Sequence, residues 1–373
     1  MKIERFYKLQ DFIEPNKVLV IYGPRQVGKT TLLQDFLEST KLKFKLDTGE
    51  RLQTQQIFNS RNFDQILEYA KGYELIAIDE AQEIPNIGAG LKILVDQIPG
   101  ITVIATGSSS FQLAGQIGEP LTGRKTTLTL YPVSQIELEK LYNNYELKEK
   151  LEEWLIYGSY PAVVTSPKDK KPEILDELVN SYLLRDILNF EQVKGSKILM
   201  DLLRLIAFQL GGEVSLTELG SQLGIDTKTV ARYLDLFEKS FVLFNLRGYS
   251  RNLRSEITKK SKYYFYDIGV RNALVSNFNS FNMRNDIGQL WENFLVIERL
   301  KKQTYHRIHT NNYFWRTWDQ KEVDWVEERD GKLFGYEFKY NKDKFTKPKL
   351  FLETYPEGDV ELINKDNYLH FVT

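Results

Sequence analysis

Five apolar residues, Val18-Leu-Val-Ile-Tyr22, run directly into Gly23-Pro-Arg-Gln-Val-Gly-Lys-Thr30. This junction constrains the chain more than any other feature. A buried strand must end at Tyr22, the backbone must turn through a glycine-spaced loop, and the helical pattern over 30–37 must begin where the loop closes. Glycines at both ends let backbone N–H groups approach a phosphate, whose charge the helix N-terminus favours. Lys29 is then placed to reach the β- and γ-phosphates of ATP, and Thr30 offers a hydroxyl to Mg2+. Gly23, Pro24, Arg25, Gln26, Val27, Gly28 and Thr31 complete the expected binding wall.

Residues 18–130 alternate short apolar strands with amphipathic helices. Further strands are expected at 43–46, 74–78, 101–105 and 126–130, and helices over 30–37, 63–70 and 91–98. Strands separated by helices form a parallel sheet covered on both faces. Leu75-Ile-Ala-Ile78 delivers Asp79-Glu80 at a strand's C-terminal end. An acidic pair there suits magnesium-dependent hydrolysis, with Asp79 holding the metal and Glu80 polarising the attacking water. The next strand ends in Thr106-Gly-Ser-Ser-Ser110, where Thr106 and Ser108 are candidates to sense the terminal phosphate. Arg124, just before the last strand, is a candidate to stabilise transition-state charge, in cis or from a neighbouring subunit. The bland alternatives are a polar turn and a surface arginine.

Composition narrows the rest. A chain of 373 residues exceeds one ordinary core, so two or three domains are expected. Hydrophobic residues at 42% and charged residues at 27% fit a globular protein. With 50 basic and 51 acidic residues the net charge is −1, so any nucleic-acid footprint must be local. The absence of cysteine excludes disulfides and thiolate metal sites. Residues 1–17 lack an apolar core of signal-peptide length. No apolar run approaches the ~20 residues of a membrane span. The expected location is the cytoplasm, with no membrane partner.

Tyr22-Gly-Pro-Arg-Gln-Val-Gly-Lys-Thr30, Ile78-Asp-Glu-Ala-Gln82, Thr106-Gly-Ser-Ser109, Leu121-Thr-Gly-Arg124 and Leu130-Tyr-Pro-Val-Ser134 together resemble the prokaryotic AAA+-type ATPases that carry a C-terminal domain of uncharacterised function. Tyr157-Gly-Ser-Tyr-Pro161 and Tyr182-Leu-Leu-Arg-Asp186 fit the same pattern, and the resemblance covers nearly the whole chain. It implies an ATPase core with a helical lid, then a winged helix, then a restriction-endonuclease-like fold. It also puts Arg185 where a lid arginine would touch the nucleotide.

The middle of the chain reads independently as helix-turn-helix. Leu216, Leu219 and Leu223 form the stripe of a first helix, Gly224 permits a tight turn, and Asp226 or Thr227 caps a second helix. Val230, Leu234 and Phe237 face its core, so Lys228, Thr229 and Arg232 point outward, on the face that enters a DNA major groove. Two strands, 241–245 and 263–266, look like a wing. Arg247, Arg251, Arg254, Lys259, Lys260 and Lys262 between them make a local basic cluster. Contact with a protein partner is the alternative use of such a module.

Near the C-terminus, Glu322 to Lys339 forms a hairpin candidate about the turn Asp330-Gly331. With that turn, Asp324 faces Glu337 and Glu322 faces Lys339, while Val323 and Trp325 share the core side with Phe338 and Tyr336. Two carboxylates directly opposed destabilise a hairpin unless a cation lies between them. Glu292, on the helix pattern 287–300, is placed to join Asp324 and Glu337 as a metal ligand. Lys339 is placed to polarise a phosphate. The Asp…Glu-x-Lys string resembles the restriction-endonuclease superfamily, which implies magnesium-dependent phosphodiester cleavage. A Glu322–Lys339 salt bridge on a wet face is the alternative.

The expected architecture is therefore α/β: a P-loop AAA+ core over 1–132, a helical lid over 133–196, a winged helix-turn-helix over 197–282 and a restriction-endonuclease-like domain over 283–373. The expected function is a magnesium-dependent ATPase acting as a DNA-associated switch or motor. The alternative is a signalling or scaffolding switch that grips a protein and carries an inert nuclease-like fold. A homo-oligomer would let Arg124 act between subunits.

Overall fold

β1 (Val18–Tyr22) is buried along its whole length, as an interior strand with no polar side chain must be. It belongs to a computed structural model that describes residues 2–108, 120–183, 196–249, 261–317 and 321–373. Two compact units result: Arg5–Tyr131 with Lys239–Phe241, and Met1–Glu4, Pro132–Glu238 and Val242–Thr373. Ser109, Ser110, Arg185, Arg251, Arg254, Lys259 and Lys260 lie outside the described residues.

The first unit is built on a five-stranded parallel sheet in the order β2-β3-β4-β1-β5. The other strands are β2 (Phe44–Thr48), β3 (Leu75–Asp79), β4 (Thr102–Gly107) and β5 (Lys125–Thr129). Its helices are α1 (Lys29–Ser39), α2 (Leu52–Asn59), α3 (Phe63–Ala70) and α4 (Ile87–Gln97). Val18, Val20, Ile76, Ile78, Val103 and Ala105 pack against Phe58, Ile66, Tyr69, Leu91 and Leu94 from α2, α3 and α4. Leu19 and Ile21, of opposite parity, point to the other face, and α1 buries Leu33, Phe36 and Leu37. All five strands run parallel, so their C-terminal ends define one edge, the usual ligand edge of such sheets.

The second unit begins with short helices: α5 (Gln135–Leu138), α6 (Asn144–Glu149), α7 (Leu151–Tyr157), α8 (Pro161–Thr165) and α9 (Lys171–Glu177). Ser134 and Asn143 each close a capping box with the glutamate three residues on. Then come α10 (Ser196–Phe208), α11 (Leu216–Leu223) and α12 (Thr227–Lys239). A Cβ on Gly220 would stand 2.7 Å from the Ile225 carbonyl oxygen, so only glycine permits the close turn between α11 and α12. Val230, Leu234 and Phe237 are buried, as the periodicity predicts.

β6 (Leu243–Gly248) and β7 (Ser261–Phe265) pair antiparallel. They do not end the module. β6 also pairs in parallel with β8 (Asn311–Arg316), so one mixed sheet runs β11-β10-β9-β8-β6-β7, with β9 (Glu322–Arg329), β10 (Lys332–Phe338) and β11 (Asp359–Ile363). α13 (Ile268–Leu274) and the long α14 (Ile287–Tyr305) precede β8, and α15 (Lys349–Thr354) and α16 (Tyr368–Val372) complete the chain.

The hairpin register matches the turn-based expectation from Lys332↔Arg329 through Tyr336↔Trp325. The β9–β10 pairing ends there. The β8–β9 register shifts between Tyr313 and Trp315, opposite Val326 and Val323. Such an irregularity re-aims the side chains beside it. Val323 therefore packs with Val326 in one apolar cluster, while Trp325 meets Phe244. The simple alternation that put Val323 and Trp325 on one face is corrected. Asp324 is only 7% exposed, so it does not sit on a wet face.

Candidate nucleotide site and C-terminal acidic pocket

The loop 23–28 closes tightly over the first unit. A Cβ on Gly23 would collide with the Leu130 carbonyl oxygen, so the loop's first position admits only glycine. Lys29 opens α1, is buried, and its Nζ donates to the Gly23 and Pro24 carbonyls at 2.9 Å each. Thr30 donates its hydroxyl to Asp79 Oδ2 at 2.8 Å, across 49 residues of sequence. The Thr106 hydroxyl donates to the other oxygen, Oδ1. Residues from α1, β3 and β4 thus converge on one carboxylate at the C-terminal edge. Ser108 is buried, and its N–H donates to Gln82 Oε1 at 3.3 Å. Val27 is buried, Arg25 pairs with Glu83 at 3.8 Å, Gln26 has φ of 60°, and Thr31 is exposed on the first turn of α1.

Glu80 follows Asp79 with φ of 47°, in the left-handed region that a non-glycine residue rarely occupies. Its N–H donates to Thr106 Oγ1 at 3.3 Å, and its Oε2 accepts from Gln82 Nε2 at 2.5 Å. Gln82 therefore connects Glu80 to Ser108 at the end of β4. A second unforeseen participant is Arg5, buried beneath the loop. Its guanidinium donates to the Val27 carbonyl and, at 2.6 Å, to the Tyr131 carbonyl. An arginine in a short polar N-terminal stretch carries no local sign of such a role.

Arg124 is not at this edge. Lys125 pairs with Val18 and Thr129 with Tyr22, so Arg124 lies at the start of β5. That is about 16 Å of strand away from the loop. It pairs with Asp96 at 2.5 Å and is 41% exposed. The in-cis role is corrected on position alone. A role toward a neighbouring subunit would require it to leave Asp96.

In the second unit, Lys228 and Arg232 are exposed on α12, and Thr229 is half-buried and caps with Asp226. Lys262 is not part of an outward basic face. It is 2% exposed, with Nζ 3.0 Å from Glu292 Oε1 and paired with Glu322. Tyr264 donates to the same Glu292 oxygen at 2.6 Å. Lys339 lies 2.7 Å from Glu337 and 3.8 Å from Asp324, whose Oδ2 also accepts the Phe338 N–H at 2.8 Å. The alternative Glu322–Lys339 bridge is replaced by Glu322 with Lys262 and Arg316.

Burial, then Glu292 and Glu337, push the Asp324 carboxyl well above the usual range. The expected trio of metal ligands, Glu292, Asp324 and Glu337, does meet in one region. It does not fit a divalent ion as arranged, because Lys262 takes Glu292 and Lys339 takes the other two. Among the described residues, no group of three or more His, Cys, Asp or Glu is arranged to hold a metal. The nucleotide site differs, since magnesium is held there by few protein oxygens plus phosphates and water. The Thr30 hydroxyl and the Asp79 carboxylate fit that mode.

Comparison with known families bears on the first unit directly: the AAA domain matches residues 15–139. That segment is similar to the AAA domain family. Beyond this AAA-type domain, residues 148–281 match a domain of unknown function (DUF8612), and residues 287–363 match another (DUF4143). An uncharacterized protein of Haemophilus influenzae is 25% identical over 97% of this chain and 90% of its own length. One of Mycobacterium tuberculosis is 26% identical over 86% and 70%. Among solved structures, replication initiator DnaA bound to AMPPCP and single-stranded DNA covers 62% of this chain and 85% of its own at 14% identity. Its TM-score is 0.28, too low to carry over a fold or a ligand. No helix among the described residues is long and apolar enough to cross a membrane.

Proposed function

We propose that the chain is a magnesium-dependent ATPase whose nucleotide state controls its hold on DNA. The observation that carries the catalytic part is the shared carboxylate: Thr30 and Thr106 both donate to Asp79, beside Glu80. Loop N–H groups and Lys29 would bind the phosphates. Lys29 would turn from the Gly23 and Pro24 carbonyls to a phosphate. Magnesium, when bound with ATP, supplies charge withdrawal from the phosphate oxygens. Thr30 and Asp79 would hold it, and Thr106 fixes the Asp79 carboxylate. Glu80 would take a proton from the water attacking the γ-phosphorus as the bond to ADP breaks. Gln82 would hold the Glu80 carboxylate and register changes at Ser108.

The DNA part rests on the second unit. The order α10, a bridge between Glu213 and Lys262, α11, α12, β6 and β7 supports the winged-helix reading. Lys228 and Arg232 stand on the exposed side of α12. Inward-facing Lys262 weakens the expected basic wing, and this favours a protein partner as the second reading. Changing Lys228 and Arg232 together to Glu separates the two. For DNA, affinity should fall, and the slope of log K against log salt should shrink by about 0.9 for each phosphate that is no longer neutralised. Unchanged affinity and slope in a filter-binding titration would leave the protein-partner reading.

A further inference from the structure

A lysine buried to 2% exposure must be paired or lose its charge. Lys262 projects from β7, next to the strand's start, into carboxylates of α14 and β9. Its Nζ is 3.0 Å from Glu292 and also pairs with Glu322. Tyr264, two residues on, donates to the same Glu292 oxygen that accepts from Lys262. Arg316 supports Glu322 at 3.8 Å and Glu213 at 3.3 Å, and Lys339 lies against Glu337 and Asp324. Burial acts to discharge Lys262, but Glu292, Glu322 and Asp324 hold its ammonium above the ordinary lysine value.

A divalent ion in such a pocket would need several of these oxygens at once, at 2.0–2.6 Å. Here each carboxylate already faces an ammonium or guanidinium group. We propose that the Lys262 ammonium, on Glu292 and Glu322 and beside the Lys339 that pairs with Asp324 and Glu337, is the buried resident cation of this pocket, so that the acids a metal-dependent phosphodiesterase would present to magnesium are already neutralised. The pocket then ties β7 to α14 and β9 without metal, and cleavage is not among its activities. This inference stands apart from the reading of the nucleotide site.

The test is a set of thermal melts of the full chain with and without Mn2+, without nucleotide. Each protein is compared with its own Asp324→Asn counterpart, so that metal bound elsewhere cancels. The wild-type protein should show no Mn2+-induced shift that Asp324→Asn removes. Lys262→Ala and the volume-preserving Lys262→Met should melt lower without metal. Both should then regain part of the loss in Mn2+, and Asp324→Asn should abolish that gain. An Asp324-dependent metal shift in the wild-type protein would overturn the proposal. So would folded Lys262 variants that ignore Mn2+. If neither Lys262 variant folds, the wild-type comparison decides by itself.

Discussion

Glu80→Gln is expected to lower ATP turnover by roughly 100-fold or more while leaving nucleotide binding intact. The amide keeps the shape of the side chain but cannot take the proton of the attacking water, a contribution typically of 10²–10⁴-fold. The geometry favours a clean separation of the two effects. The hydrogen bonds of Glu80 run to Thr106, Gln82 and Glu83, and to neither Lys29 nor Thr30. Phosphate release under saturating ATP, with binding of a fluorescent nucleotide alongside, measures both quantities. Wild-type turnover in Glu80→Gln would assign the base elsewhere. Loss of binding would mean that the left-handed backbone at this position shapes the loop.

The second large effect lies in the fold of the second unit. Glu327 is completely buried on β9 and accepts from Arg299 Nε at 2.6 Å, Arg299 Nη2 at 2.9 Å, Gln303 Nε2 at 2.7 Å and Trp325 Nε1 at 2.9 Å. Arg299 and Gln303 lie on α14, so the carboxylate pins that helix to the sheet. Arg299→Met should cost about 3–5 kcal/mol, because it leaves the buried carboxylate with only the more exposed Arg329 at 3.3 Å as a cationic partner. Burial alone would raise the Glu327 carboxyl, but Arg299 first, then Trp325 and Arg329, outweigh it and hold the group below its usual range. A folded-state value below the unfolded one gives stability that is present above the unfolded value, about 4.3. That stability is lost as pH falls through the folded value. The penalty of Arg299→Met in urea titrations should therefore be full at neutral pH and shrink in acid. A penalty independent of pH would show that Arg299 contributes mainly by packing on Phe371 and Tyr336.

Much of the first unit is legible because strand and loop signals are local. β1 and α3 lie where the periodicity predicts them, and the glycine loop needs no tertiary information. α2 escapes notice because Leu52-Gln-Thr-Gln-Gln-Ile-Phe-Asn59 buries little beyond Thr54 and Phe58. Arg124 is a different case. In a parallel sheet a residue that precedes a strand stands opposite the ligand edge, so the in-cis role was refutable from strand direction. Lys262 also carries a readable signal. Ser-Lys-Tyr-Tyr-Phe265 carries a lysine directly before three aromatic residues, and a lysine buried with such a run must turn to a partner. The identity of that partner, Glu292 on a helix 30 residues away, is tertiary. The irregularity of β9 opposite Tyr313 and Trp315 is equally beyond a turn-based register, since it is imposed by a third strand.

Under the proposed function, nucleotide at the Asp79–Thr30 site governs the hold of α12 on DNA. The most direct test is the DNA affinity of the Glu80→Gln protein, measured by fluorescence anisotropy at one fixed salt concentration with ATP and then with ADP. The account expects different affinities in the two states, a difference abolished by Lys29→Ala and a weaker complex in both states when Lys228 and Arg232 are reversed. Equal affinity with ATP and ADP, or no DNA binding in either, would contradict it.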